Sequence, residues 1–471
     1  MSAAPVAVPG PLFFSVFAVL TALVCYVVHR WNLVSGLIGA ASCLVLAWVS
    51  LRQASGESLS LLGRVLVLNR SFVLLGREWA LLPADSAVLT LVFAACGLAF
   101  LLALPVAQGW SFHSFGMGVV AALVLSVTAE QYIYSILFLW LASILAVFVL
   151  SGGRPGATTG AVRFLAVSSM AAMLLLTLLA YVRPDADPES LYTATILMVL
   201  GFGMLLMMVP FHGQLVAIAA HSAPMVPAFV LSAFTPVVFH ILLSFGRSHP
   251  MLFQDELFFG VCLWLGTAAV AIGGVAAAGQ RRWGYLVGYA TLVDWGAGLI
   301  ALGQGTECGI EWAVQMLVWR AFSLLLVGTG LTVVFKAIGQ DDEMAKCGGL
   351  LQRRMLGVVA LIGGLFSLAG FPLTPGAVGR WPLIGSLLRS EPTIAWIVIL
   401  AGGGVCVGAL VGLRACLGPV PQSADGDRLE TAVAIGAAVL AIWLVGILTL
   451  RSALWLDIAQ SMLGVLSFLS M

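Results

Sequence analysis

The chain has 471 residues, of which 61% are hydrophobic and only 9% charged, with a mean hydropathy of +1.10. A soluble domain carries about 25% charged residues, so this chain cannot cover its surface in water and its solvent is lipid. A net charge of +1 with no basic or acidic block excludes the electrostatic footprint of nucleic-acid binding.

A helix needs about 20 apolar residues to cross the hydrocarbon core. Runs of that kind fall near 11–28, 32–50, 86–107, 113–128, 131–150, 161–181, 191–209, 224–245, 257–279, 283–303, 310–335, 356–390, 393–417 and 430–450. They predict an all-α polytopic membrane protein with about 14 transmembrane helices. The first run has no basic residue before it and reads as a retained helix rather than a signal peptide. Residues 1–112 hold helices one to three, with one sizeable extramembrane connection at 51–85. There LLGRVLVLNRSFVLLGREWALL alternates apolar and polar residues, which predicts a β-hairpin on the membrane face with a turn at Asn69–Arg70. Residues 113–245 and 257–417 form two five-helix blocks, and 430–471 a last helix with a short interfacial tail from Ala453 to Ser470.

Two of the helices are broken. Helix seven ends GFGMLLMMVPFHG, with Pro210 before His212. The run at 356–390 is too long for one straight crossing and contains SLAGFPLTPGAVGRW, in which Pro372 and Pro375 are followed by Gly376, Gly379 and Arg380. Proline removes an amide donor and frees a carbonyl, and lipid tolerates such groups only beside protein or water. Each break falls in the fourth helix of its block, and corresponding interruptions in two halves point to two inverted five-helix repeats around a polar interior. The alternative, plain proline kinks, accounts for one break more easily than for two in matching places.

Loops after odd-numbered helices carry Arg30, Arg154, Arg163, Arg281, Arg282, Lys336, Lys346, Arg353, Arg354, Arg414 and Arg428. The other side carries Arg52, Arg64, Arg70, Arg77, Arg183, Arg247, Arg389 and Arg451, half of them in one long loop. The excess places both termini on the non-cytoplasmic side. Arg320 and Arg380 lie inside predicted spans instead. The eight cysteines are scattered singly, mostly in apolar runs, and read as small buried hydrophobes; no metal or cofactor spacing occurs.

VPFHGQLVAIAAHSAPMVPAFVLSAF, RRWGYLVGYATLVDWG, GGLLQRRM and SLAGFPLTPGAVGRW, in that order, resemble the antiporter-like membrane subunits of respiratory complex I. The same family includes subunits of multisubunit sodium/proton antiporters, membrane-bound hydrogenases and some inorganic-carbon uptake systems. The resemblance runs from about Glu130 to Leu388 and is built from several weak motifs in order. It implies a non-catalytic subunit of a proton- or sodium-translocating redox assembly, without an active site or cofactor of its own. The partners it implies are homologous membrane subunits, a redox or other soluble module, and lipid. The alternative is the membrane partner of a non-redox antiport or inorganic-carbon uptake complex.

The resemblance also implies a buried row of one glutamate and several lysines along the midplane. Here those positions fall on Leu141, Leu205, Pro236 and Ser323, with Trp319 in place of a histidine. Arg380 keeps the charge of the lysine after the second break, and Asp294 stands where a helix-ten histidine is usual. Burial lowers a lysine's pKa toward neutrality, which lets it load and release protons, whereas arginine stays protonated to about pH 12. The chain's two lysines, Lys336 and Lys346, lie at or beyond the end of helix eleven.

An unpaired intramembrane charge costs at least ~2.5–3.5 kcal/mol on the insertion scale, so Asp294 is expected to pair with Arg320. Such a pair is either a remnant of the ion path or a register-fixing ion pair. His240 lies one turn after Pro236 and is a relay candidate, against the alternative of a satisfied interfacial side chain. His212 and His221, after the first break, are candidates for a water-linked access path. Glu130 is an interfacial residue or a displaced functional carboxylate. PDADPES (Pro184–Ser190) and QDDEMAK (Gln340–Lys346) read as solvated loops. Dinucleotide, Walker A, nucleophile-elbow and zinc motifs are all absent.

Overall fold

A computed structural model describes residues 6–54, 59–61, 64–74, 76–154, 156–182, 187–253, 256–339 and 341–419. Strand β1 (Val6–Pro9) precedes α1 (Gly10–Val27) and α2 (Asn32–Ala54). Strands β2 (Leu59–Leu61), β3 (Arg64–Arg70), β4 (Phe72–Leu74) and β5 (Arg77–Trp79) lead to α3 (Pro83–Leu102). Next come α4 (Phe112–Thr128), α5 (Tyr132–Ser151) and α6 (Thr158–Tyr181), and then the first interrupted element, α7 (Pro188–Leu205) with α8 (Gly213–His221). Helices α9 (Val226–Ser248), α10 (Glu256–Ala278), α11 (Trp283–Gly303) and α12 (Glu307–Ile338) follow. The short α13 (Leu350–Arg353) introduces the second interrupted element, α14 (Met355–Leu368) with α15 (Ala377–Ser390), before α16 (Pro392–Cys416).

Local chemistry sets the helix starts. Proline occupies the first or second position of α1, α3, α7, α9 and α16, where its missing N–H is no loss. Thr306 caps α12 by accepting the Gly309 N–H at 3.1 Å. Eleven of the described helices are long and apolar enough to cross a membrane, and α4 and α14 are shorter apolar helices. With large apolar side chains such as Trp264, Val275 and Leu400 exposed around the bundle, the chain is an integral membrane protein. The helix expected at 430–450, the tail from Ala453, and Arg183, Arg428 and Arg451 lie outside the described residues.

The third helix differs from expectation. It starts at Pro83 and ends at Leu102, whereas hydropathy alone placed it at 86–107. Asp85 is therefore not the end of the 51–85 loop. It is the third residue of α3, buried, and its Oδ2 accepts the Leu82 N–H at 2.8 Å. Within that connection β2 pairs antiparallel with β3, and β1 pairs parallel with β3. Strands β4 and β5 form a hairpin with Phe72 opposite Trp79 and Leu74 opposite Arg77. Asn69 and Arg70 are not a turn: both belong to β3 and pair with Pro9. The hairpin closes at Gly76, whose φ of 73° supplies the left-handed backbone that a two-residue loop requires.

Helices α9 and α11 form the centre, with 94% and 89% of their spans buried, while α1 and α6 mostly face outward. Helix α12 packs against α3, α9, α11, α14 and α15, and α11, which packs against α8, α14 and α15, joins both interrupted elements to one core. The glycine-rich AGGGVCVGAL segment lies in α16 against α10. A Cβ on Gly404 would stand 2.3 Å from the Gly274 carbonyl oxygen, so the two backbones touch.

Candidate functional site

Both interrupted elements end their first half with the same hydrogen-bond ladder. In the first, the N–H groups of Leu206, Met207 and Met208 donate to the carbonyls of Phe202, Met204 and Gly203 at 2.8, 3.1 and 2.9 Å. In the second, those of Ala369, Gly370 and Phe371 donate to Leu365, Ser367 and Phe366 at 2.9, 2.9 and 3.0 Å. One residue past each cap is left-handed, Met207 at φ 56° and Gly370 at φ 69°. Each break then takes an indole: Trp295 Nε1 donates to the Leu206 carbonyl at 2.6 Å and Trp381 Nε1 to the Gly370 carbonyl at 3.1 Å. Gln214 Nε2 donates to the Met204 carbonyl at 2.6 Å, and Ser367 Oγ accepts the Gly376 N–H at 3.0 Å. The breaks at Pro210 and at Pro372/Pro375 are thus stitched by protein side chains, as lipid requires.

The second break delivers Arg380 to the core. Asp294 of α11 meets Arg320 Nε of α12 through Oδ2 at 2.5 Å and Arg380 Nη2 of α15 through Oδ1 at 2.8 Å. All three side chains are at most 3% exposed. The expected Asp294–Arg320 pair is therefore one side of a triad with net charge +1. The Arg320 guanidinium also lies over the Trp295 ring, 4.1 Å from its centroid. Even so, Arg320 Nη1 and Nη2 and Arg380 Nε and Nη1 find no acceptor among the described residues. Two permanent cations on one carboxylate make a fixed charge cluster and a poor proton carrier.

The other candidates are not gathered at this triad. His240 is buried, and its Nε2 lies 2.8 Å from Asp85 Oδ1 near the start of α3. His212 caps the start of α8, half-buried, with Nδ1 enclosed and without an acceptor. His221 ends α8, its Nδ1 3.0 Å from the Ala217 carbonyl and its ring edge-on to Tyr285. Nine residues of helical rise separate the two histidine backbones by about 14 Å along the axis. Glu130 is exposed between α4 and α5. Leu141 is 40% exposed on the outer face of the bundle, while Pro236 is buried inside α9. Ser323 sits 2.7 Å from Ser367 in a hydroxyl pair between α12 and α14.

Asp85 escaped the sequence because it lies at a loop boundary. Its pairing with His240 carries an expectation: Asp85→Ala should destabilise the chain by about 1–3 kcal/mol by leaving a buried imidazole unpartnered. Thermal unfolding in detergent tests it, and an unchanged midpoint would show that the pair carries no weight. His113 was also missed; it is buried at the start of α4 with Nε2 lacking an acceptor.

The QDDEMAK loop needs correction. Asp341 and Lys346 do form a solvated pair, and the Lys346 ammonium bonded to Asp341 holds its carboxyl below the usual carboxylate range. Asp342, however, is buried, with Oδ1 3.6 Å from Arg154 Nη2 and 3.5 Å from Arg282 Nε. Its backbone carbonyl accepts the Trp283 N–H at 2.9 Å, which pulls the loop into the protein. Arg154 also donates to the Ala220 carbonyl at 3.0 Å, at the C-terminal end of α8. The loops after α5, α10 and α12 are thereby tied to the end of the first broken helix. Of the cysteines, Cys308 is exposed and Cys406 half-buried; the others are buried.

A family profile described as NADH:quinone oxidoreductase/Mrp antiporter, transmembrane, matches residues 177–406, which contain both breaks and all three triad residues. NADH-quinone oxidoreductase subunit N of Chromohalobacter salexigens is 27% identical over 219 residues, 46% of this chain and 44% of that protein. The chain thus matches less than half of that relative's length. The fold is shared more widely. A chain of the Mrp complex from Dietzia sp. DQ12-45-1b superposes with a TM-score of 0.81 at 14% identity, covering 97% of each chain. A chain of respiratory complex I from Thermus thermophilus gives 0.75 at 17% identity, covering 95% of this chain and 99% of that one. The fold defines a polytopic antiporter-like membrane protein. Over residues 177–406 the chain belongs to the antiporter-like membrane subunit family of respiratory complex I and the multisubunit sodium/proton antiporters.

Proposed function

We propose that the chain is an antiporter-like subunit of a complex I-related, proton- or sodium-translocating redox assembly, and that its own ion path is closed at the midplane. Family membership and the paired breaks support the first half. The single observation that carries the second is the Arg320–Asp294–Arg380 triad, in which charges that titrate poorly fill the place of a lysine relay. On this view the two five-helix blocks are inverted repeats, and the stitched breaks keep the architecture of a path while the chain serves as a structural and coupling member. Homologous membrane subunits, a redox or other soluble module and lipid are its partners. It lies in a bacterial or archaeal cytoplasmic membrane with both termini outside, which puts the Arg154–Asp342–Arg282 cluster on the cytoplasmic side.

The experiment is proton and sodium flux per turnover in proteoliposomes holding the purified assembly, with wild type compared with Arg380→Lys. Unchanged stoichiometry is the expected result. A fall in flux with assembly preserved would mean that Arg380 belongs to a conducting path. A second reading, the membrane partner of a non-redox antiport or inorganic-carbon uptake complex, is favoured by the family profile, whose description covers an antiporter as well as the oxidoreductase. Iron–sulfur or flavin absorbance in the purified assembly separates the two.

A further inference from the structure

The triad leaves an excess positive charge inside the bundle, and part of it faces a cavity. Arg320, Trp295, Thr235, Thr291 and the backbone turn at Leu206–Met207 line a space of about 10 Å³ between α8, α9, α11 and α12. That volume is open to the centre of a water-sized sphere, so the cavity admits one water or one monatomic ion slightly larger than water. Asp294 is the one carboxylate that either arginine reaches among the described residues, and it is already shared between both. Arg320 Nη1 and Nη2 therefore present donors without an acceptor, in a side chain only 3% exposed.

We propose that this cavity binds a small monovalent anion of halide size, held by the Arg320 guanidinium and the Thr235 hydroxyl. The chemistry selects the ligand. A metal cation is repelled by the Arg320 guanidinium in the cavity wall, and the Asp294 oxygens and the Leu206 carbonyl are already taken. A carboxylate or phosphate group is too large for the space. Water satisfies the hydrogen bonds but leaves the +1 charge in place, and an uncompensated charge at this depth costs several kcal/mol. A single halide answers both demands. The apolar walls, formed by Leu205, Leu215 and Leu231, shield it and strengthen its attraction to the guanidinium. The inference does not depend on whether the chain carries protons.

The test is thermal unfolding of the detergent-purified full chain, titrated with chloride at constant ionic strength with gluconate as the balancing anion. A saturable rise in the midpoint is expected, since a ligand that binds only the folded state stabilises it by mass action. Thr235→Val should raise the half-saturating chloride concentration about tenfold, the effect of one lost hydrogen bond to an ion. Arg320→Gln should abolish the saturable component. Because Arg320→Gln also breaks the triad and risks misfolding, Thr235→Val, which leaves the triad intact, is the deciding variant. A flat titration means that water alone fills the cavity and overturns the proposal. So does a rise that Thr235→Val leaves unmoved.

Discussion

Asp294→Ala should destabilise the chain by about 3–5 kcal/mol, the cost of removing one partner from a buried ion pair. Two guanidinium groups would then stand inside the bundle with the Trp295 face as the nearest compensation. Asp294→Asn should recover little, because an amide oxygen can accept a hydrogen bond but leaves two net positive charges. The informative variant replaces the whole cluster, with Asp294→Leu, Arg320→Met and Arg380→Met combined. Replacing a buried ion cluster by apolar groups of similar volume is often neutral or stabilising, so this chain should recover most of the lost stability. Unfolding midpoints in detergent and recovery of the assembled complex measure both effects. A wild-type midpoint for Asp294→Ala would show that the triad does not hold α11, α12 and α15 together. A triple variant as unstable as Asp294→Ala would show that the cluster does more than neutralise itself.

The membrane spans were legible because lipid imposes a length and a composition that survive any change of detail. The breaks were legible because proline and glycine act locally. Asp294 and Arg320 could be paired by cost alone, since two deep opposite charges on consecutive helices have few other ways to be tolerated. Arg380 could not be assigned to them, because its reach depends on how the second break folds back on itself. Asp85 and Asp342 were hidden for a related reason. Each sits within a few residues of a helix end, where hydropathy cannot tell a buried side chain from a solvated one. The signal in both cases is a charged or titratable partner on a distant element, His240 for Asp85 and Arg154 for Asp342. The hairpin turn was misplaced at Asn69–Arg70 because both are plausible turn formers, while the strand run through them was longer than the local alternation suggested.

Gly370→Ala should cost about 3 kcal/mol and weaken the triad, although no polar group is removed. Part of the cost is backbone: at φ 69° a Cβ is strained by about 1–2 kcal/mol. The rest is contact. An added Cβ would stand 2.3 Å from Arg380 Cδ and 2.9 Å from its Nε, and the far end of that side chain is anchored on Asp294. The guanidinium must give way, which costs a charge-assisted hydrogen bond worth about 1.5–3 kcal/mol. The first break supplies the control. Met207 holds the same place in the same ladder with a side chain and a positive φ, so the ladder itself does not demand glycine. The contact share is therefore separable by a double-mutant cycle. Gly370→Ala in an Arg380→Ala background should cost only the backbone strain, giving a coupling of about 1.5–3 kcal/mol between the two sites. Strict additivity would mean that the glycine is kept for its backbone angle alone. A non-additive result would mean that the break in SLAGFPLTPGAVGRW is shaped around its arginine.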